Sequence, residues 1–572
     1  MDSSPSFETL SNKLEYPNGI FNKTQTTITS LYAFNPSMNK SPKDTVEILL
    51  EKPIHHLRSK EKHELFEHEV TKEEMNIAAK YGRFPQRPSD LFLKLFYGVI
   101  RTLEHNPLSG CVSPALVGTS AVIPLTIIST IPDIMQHYHH VIVHAQKEVL
   151  FATCWWEKGE IANMMDKALR DLSKRAAREK RQVIVKLLID HLSKENITHR
   201  HAILPSNKWA QCNLPTMEEL PFISMEVNCY HRLIMGTFHS KFLIVDRKIA
   251  LLNSNNIYDR PNLEMMVHYQ GDIVNSFYDT FLISWSIPFE PDLVCLQEET
   301  PANQDFHFEN KFSTPTINRK VTHLTFHDAA RKALVEIRNT CSFDKSTIQS
   351  LTIDFTPFIF HTRHQPIPIA LVNRSPNGTP GHIDKINPQD IAWLYAFRYA
   401  QKSLFIQSPN FNATPAVDGI ISACRRGIKV ILWLDLGYNY LKEGFGTFQG
   451  GTNEHIVKKI YKELKSHDNG AEKNLQIFWY TAKDQTRPCH FSEKKRNCHI
   501  KFMSIDDQVA IVGSGNMDTQ TWFHSQEMNT MIDSPVIVKE WMNALYTNQS
   551  TNEYGRLNDN GEWHGISSNL NS

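Results

Sequence analysis

The chain has no CxxC pair, and its nine cysteines, at 111, 154, 212, 229, 295, 341, 424, 489 and 498, form an odd, scattered set. That pattern excludes a disulfide framework and suits a reducing compartment. An excess of one charge is also missing, since 61 Lys and Arg balance 61 Asp and Glu. A dedicated nucleic-acid binder carries basic residues for its phosphate contacts, so nucleic acid is not an expected partner. The opening stretch MDSSPSFETLSNKLEYPNG has neither a basic start nor an apolar core. It reads as no secretory signal, which places the protein in the cytoplasm or peripherally on an intracellular membrane, not outside the cell. The sequons at Asn22 and Asn377 then carry no information.

Long hydrophobic runs are nearly absent. Ser113–Pro132 is about the length of a bilayer span, yet it holds Pro114, Pro124, Pro132 and several hydroxyl residues. Its β-branched run at Ile123–Ile131 reads as a buried strand.

What is present describes a soluble globular protein: 572 residues, 41% hydrophobic and 21% charged, enough for two domains or one large duplicated one. Residues 1–85 are rich in Ser, Thr and Asn with charge runs, and read as a poorly ordered extension with some helix. Pro88-Ser89-Asp90 then caps a helix whose Leu91, Phe92, Leu95, Phe96, Val99 and Leu103 make a wide apolar face. That face is expected to dock on the core, because the polar side lacks the Lys/Arg richness of a membrane-surface helix.

An internal repeat shows at AQK. DIMQHYHHVIVHAQKEVLFATCWW and DIAWLYAFRYAQKSLFIQSPNF each read as a helix followed by a short strand (Val149–Thr153, Leu404–Gln407), then a second helix and strand. The duplication covers roughly Ile131–Trp285 and Ile391–Trp541. Alternating helices and apolar strands imply a duplicated α/β sandwich with mixed, largely parallel sheets. The domains are therefore a first lobe over 86–285, a Pro-rich connector over 286–390 with a helix at Asp328–Arg338, a second lobe over 391–548 and a disordered tail over 549–572. The basic stretch Lys167–Arg181, with seven Lys/Arg against two acids, reads as a solvated helix face; attraction to an anionic membrane is the alternative.

The same register of five residues closes both repeats. HSKFLIVDRKIALLNSNN contains His239, Lys241, Asp246, Ser254 and Asn256; HIKFMSIDDQVAIVGSGN contains His499, Lys501, Asp506, Ser514 and Asn516. Read as strands, each segment points His and Lys to one face, and a hairpin through Asp returns Ser and Asn beside them. Two copies around a pseudo-twofold axis would gather two of each group in one cleft. Such a cleft suits a phosphodiester: lysines and asparagines bind the non-bridging oxygens and stabilise a five-coordinate transition state without a metal or other cofactor. One imidazole attacks phosphorus, and the other protonates the leaving oxygen and then deprotonates water or an alcohol. Glu264 and Glu527, 25 and 28 residues after their histidines, are the candidate carboxylates for Nδ1.

H-x-K-x4-D followed by G/N-S-x-N, present twice, resembles the phospholipase D superfamily, and the chain is similar to its cardiolipin- and phosphatidylserine-synthase-like and fungal members. The resemblance implies two lobes with one shared active site, a covalent phosphohistidine, and transfer to water or an alcohol. It implies His239 as nucleophile, His499 as general acid/base, and Asp246 and Asp506 as mainly structural. Asn253 stands where the family has Gly, and is expected to tolerate a positive φ there. Both motif Asp residues are kept, unlike the tyrosyl-DNA phosphodiesterase branch.

Weaker signals surround the motifs. Gly444–His455 is a Gly-rich loop before a helix near Asn453. Cys489, His490, Cys498 and His499 match no common zinc spacing, so no metal is expected. Trp155 and Trp156 line a lipid channel or merely pack. The leading expectation is a phospholipid phosphodiesterase or phosphatidyltransferase with peripheral membrane contact. A metal-independent nuclease of the same superfamily and a non-catalytic scaffold are the alternatives, and the sequence is silent on oligomeric state.

Overall fold

Each AQK marks a boundary where a helix hands over to a buried strand. Helix Ile131–Val143 precedes a strand at Glu148–Thr153, and helix Pro388–Tyr399 precedes one at Ser403–Ser408. The computed structural model describes residues 26–34, 41–49, 65–190, 199–298, 350–438, 451–466, 470–491 and 497–563. The helix expected at Asp328–Arg338 and most of the Gly-rich loop from Gly444 lie outside them; Thr452 caps the helix Asn453–Lys465 that follows.

The first half supplies β1 (Gly118–Ser129), β2 (Glu148–Thr153), β3 (Val183–Ile189), β4 (His201–Ile203), β5 (Ile223–Tyr230), β6 (Phe242–Val245), β7 (Ile249–Asn253) and β8 (Glu264–Gln270). After β9 (Phe358–Phe360), the second half supplies β10 (Ile367–Leu371), β11 (Ser403–Ser408), β12 (Lys429–Leu434), β13 (Leu475–Trp479), β14 (Phe502–Ile505), β15 (Val509–Gly513) and β16 (Asn529–Asp533). The order β13-β12-β11-β14-β15-β16-β10 meets β1-β8-β7-β6-β2-β3-β5-β4, so the halves mirror one another across the β1–β10 seam. This is the duplicated α/β fold with pseudo-twofold symmetry.

Two expectations change. Parallel ladders are confined to β2–β3–β5 and β11–β12–β13, so the sheets are mixed but not largely parallel. Apolar runs marked these strands as buried but carried no direction; the hairpins after each motif histidine and the β8 and β16 returns all run antiparallel. Second, β10 lies inside the segment read as a connector, pairs with both β1 and β16, and occupies the place that β1 takes in the first half. A five-residue strand containing Pro368 carries too little pattern to be recognised.

Ser113–Pro132 contains β1, in which Ile123, Ile127 and Ile128 are fully buried. No described helix is long and apolar enough to cross a membrane. Helix Asp90–Leu103 is capped by Ser89, whose hydroxyl accepts the Phe92 amide at 3.2 Å. It packs on helix Pro388–Tyr399 of the second half, so close that a Cβ on Gly98 would stand 2.4 Å from the Tyr395 ring.

Within 1–85, Ile28–Phe34, Pro42–Leu49 and Lys72–Tyr81 are helices, and the amide and hydroxyl of Thr29 donate to Asp279 at 2.8 and 2.7 Å. At the other end, residues 549–563 are not a loose tail. Arg556 bridges Phe478, Leu557 donates to Ile477 at 2.9 Å, and both close the free edge of β13. Backbone pairing to an open edge needs no apolar periodicity, which is why composition missed it.

Candidate active site

Both motifs are built the same way from the turn outward. Asp246 and Arg247 have φ of 51° and 50°, and Asp506 and Asp507 both 54°, the paired positive φ of a tight hairpin turn. The Asp246 carboxylate accepts the amides of Gln146, Lys147 and Glu148 at 2.7, 2.7 and 3.0 Å. Asp506 repeats this on Gln401, Lys402 and Ser403 at 2.9, 2.7 and 2.9 Å. The motif aspartates thus pin each hairpin to the AQK turn of its own half. Asp246→Ala should cost about 2–4 kcal/mol, because three charge-assisted bonds are lost and three amides left short of partners. Denaturant unfolding would show this as a lower midpoint.

The strands begin at Phe242 and Phe502, not at the histidines. His239 and His499 sit in extended lead-ins drawn out of the ladder by the opposite half. The His239 amide donates to Gln526 O at 2.9 Å and the Gln526 amide to Thr237 O at 2.8 Å; the His499 amide donates to Leu263 O at 2.8 Å and the Leu263 amide to Asn497 O at 3.0 Å. Since Gln526 and Leu263 precede Glu527 and Glu264, these cross-lobe bridges decide which carboxylate meets which ring. His239 Nδ1 lies 2.9 and 3.0 Å from the Glu527 oxygens, and His499 Nδ1 lies 3.1 Å from both of those of Glu264. Each histidine is therefore served from the other lobe, which corrects the pairing within one repeat implied by the 25- and 28-residue spacings.

Serines hold the carboxylates in place. Ser254 donates to Glu264, and Ser514 to Glu527 at 2.6 Å; Thr521 adds a second hydroxyl to Glu527 at 3.0 Å. Lys241 Nζ folds back to His239 O at 2.6 Å, and Lys501 Nζ bonds His499 O. Asn256 and Asn516 are buried at the returning ends of the hairpins, and Asn516 Nδ2 donates to Asp518 at 3.2 Å. Asn253 does not need a positive φ. Its amide oxygen takes the Tyr138 hydroxyl, whereas a Cβ at the equivalent Gly513 would lie 2.2 Å from Met528 O.

Burial and charge set the protonation states. Burial, aided by Lys501 and Lys241 and opposed by Glu264, pushes His499 down to about 3. Burial acts on His239 in the same direction, with Lys241 and Lys501 adding to it against Glu527. For Glu264, burial acts to raise the carboxyl, but the charge and hydrogen bond of His499, together with Lys501, hold it below its ordinary range. Lys501 falls to about 7, through burial opposed by Glu264 and aided by the neighbouring Lys241; Lys241 is also lowered by burial. Each lysine acts on the histidine of the other half, so the four groups occupy one cleft.

An anion placed there favours the cationic forms of the histidines and lysines that burial disfavours. Binding of vanadate or a phosphodiester near pH 7.5 should be accompanied by proton uptake, and affinity should fall as pH rises through and above about 7. Titration calorimetry in two buffers of different ionisation enthalpy measures this; proton release on binding would contradict it.

Two supporting residues escaped the sequence reading. Asp190 and Asp435 follow the last residues of β3 and β12 and are buried. They accept the amide of the residue before each histidine, Phe238 at 2.8 Å and Cys498 at 3.0 Å. The signal was available in the matched strand endings LLID and LWLD. Asp190 also binds His231 Nδ1 at 2.9 Å. Of the tryptophans, Trp156 packs on Phe151 and donates to Cys212 O at 2.7 Å, whereas Trp155 is exposed. The basic helix Glu160–Arg178 spends charge on local pairs, Lys167–Asp171 and Arg175–Glu179 among them, as a solvated face does.

Residues 394–547 match the family model of the cardiolipin synthase phospholipase D-like domain. The match covers the second lobe with its motif and supports the resemblance read from the sequence. No curated protein sequence matches the chain significantly. Among solved structures, phosphatidylserine synthase from Haemophilus influenzae Rd KW20 is 11% identical with a TM-score of 0.46, over 76% of this chain and 89% of that one. Nuc, a phospholipase D family member from Salmonella typhimurium, is 15% identical with a TM-score of 0.22, over 32% of this chain and 92% of that one.

Proposed function

We propose that the protein is a phospholipid phosphodiesterase or phosphatidyltransferase of the phospholipase D type. The observation that carries this reading is the crossed pair of imidazoles. Each has Nδ1 committed to a buried carboxylate, which leaves Nε2 for substrate, and each shares a field with two buried lysines. His239 Nε2 attacks phosphorus, and the bond to the leaving alcohol breaks as His499, protonated when the anionic substrate binds, gives that oxygen its proton. His499, now neutral, takes a proton from water or an acceptor alcohol, whose oxygen displaces His239 and regenerates the free imidazole. Lys241, Lys501, Asn256 and Asn516 hold the non-bridging oxygens as charge builds on them. The phospholipid substrate is supported by the family match of the second lobe.

The test is turnover of labelled phosphatidylglycerol and phosphatidylcholine, with single-stranded DNA as a parallel substrate, in the presence of EDTA and beside His499→Ala. Lipid turnover that resists EDTA and is lost in the variant supports the reading, and the product separates hydrolysis from transfer. Cleavage of DNA with inert lipids would overturn it in favour of a nuclease.

A further inference from the structure

Between β5 and His239 the chain makes a short loop, Arg232–Thr237, directly on the approach to the nucleophile. Its backbone is tied down from both sides. Arg232 and Gly236 exchange amide bonds at 3.0 and 2.8 Å, the Ile234 and Met235 amides donate to Gly378 O at 3.0 and 3.2 Å, and Gln520 Nε2 donates to Met235 O at 2.6 Å. The fit is tight: a Cβ on Gly378 would fall 1.7 Å from Leu233 O. The side chains at its tip nevertheless point away from the protein. Leu233 is 42% exposed and Ile234 71%, and Ile383, on the turn that follows Gly378, is 74% exposed.

An isolated exposed apolar residue needs no explanation. This group differs in two respects. It is displayed by a backbone tied down on both sides, and Leu233 and Ile234 stand six and five residues before His239, at the same end of the parallel strands as the exposed Trp155 that follows β2. Its base carries two arginines: the Arg200 carbonyl accepts the His231 amide at 3.0 Å, and Arg232 is fixed by a bond from Nη1 to Pro376 O at 2.7 Å; of the acids nearby, Asp190 is paired with His231 and Asp384 adjoins Ile383. An apolar tip over a guanidinium base matches the interfacial zone of an anionic bilayer, with acyl chains outside the tip and phosphates level with the arginines.

We infer that Leu233, Ile234 and Ile383 form a docking tip that inserts into the surface of an anionic phospholipid bilayer and sets the catalytic cleft against the headgroups. The inference rests on the phospholipid reading for its purpose, but the tip is measurable without turnover. Full-length protein is sedimented with phosphatidylcholine vesicles, with and without phosphatidylglycerol, beside Leu233→Ser/Ile234→Ser. These side chains are exposed and the backbone bonds are kept, so the variant folds; its unfolding midpoint verifies that.

The wild type is expected to bind, more strongly with phosphatidylglycerol present, and the variant to lose at least about tenfold in vesicle affinity. Turnover on vesicles should fall by a similar factor relative to turnover of a monomeric short-chain phospholipid. Absence of vesicle binding by the wild type, or equal binding by the variant, overturns the inference. So does a wild-type dimer that the variant converts to monomer, since the tip would then serve a second copy of the chain. Vesicle binding lost in the variant, with no phospholipid turned over by either protein, keeps the docking tip and removes the substrate reading.

Discussion

On the proposed chemistry His239→Ala should lose turnover by about 10⁴-fold or more, while phosphodiester or vanadate binding should fall far less. The imidazole is asked for two things that no neighbour supplies: a lone pair aimed at phosphorus and a ring orientation fixed by Glu527. The His239 and Gln526 backbones continue to bridge whatever side chain position 239 carries, so the cleft and both lysines persist in the variant. The loss therefore belongs to kcat. Acid-quenched single-turnover experiments with ³²P-labelled substrate should trap labelled wild-type protein and no labelled His239→Ala. Label retained by His239→Ala and lost from His499→Ala would exchange the two roles.

Glu527→Gln should lower kcat by about 10²–10⁴-fold. The carboxylate selects the tautomer with the proton on Nδ1 and stabilises positive charge on the ring; an amide keeps the shape and loses both functions. It should also move the acid limit of activity to lower pH, because the nucleophilic His239 must be neutral and then loses the partner that opposes burial and the two lysines. The crossed geometry makes a sharper claim. A double-mutant cycle between His239 and Glu527 should show strong coupling, and one between His239 and Glu264 weak coupling, although Glu264 shares the lobe of His239. Equal coupling in the two cycles would mean that the rings and carboxylates are not paired across the halves.

The residues of the site were legible because the duplication printed them twice. His, Lys, Asp, Ser and Asn recur at fixed offsets, and the strands and helices around AQK follow their apolar periods. The wiring was not legible. Offsets along one repeat pair Glu264 with His239, while the bond to His499 depends on Leu263 meeting Asn497 and His499 across the lobes. Linear spacing carries no information on that. Asp190 and Asp435 were missed although the strand endings LLID and LWLD match, because each acts on a backbone amide and stands outside the motif that repeats from the histidines onward. The direction of the strands was misjudged because an apolar run reports burial alone.

The exchange of carboxylates across the seam means that neither half of the chain holds a complete imidazole–carboxylate pair on its own. A polypeptide holding only the first unit would carry a histidine whose proton partner lies elsewhere and a glutamate with no ring to serve. Two such units would complete each other only as a pair. The two copies are not identical: Asn253 of the first repeat corresponds to Gly513 of the second, and counting from AQK, Trp155 corresponds to Asn410.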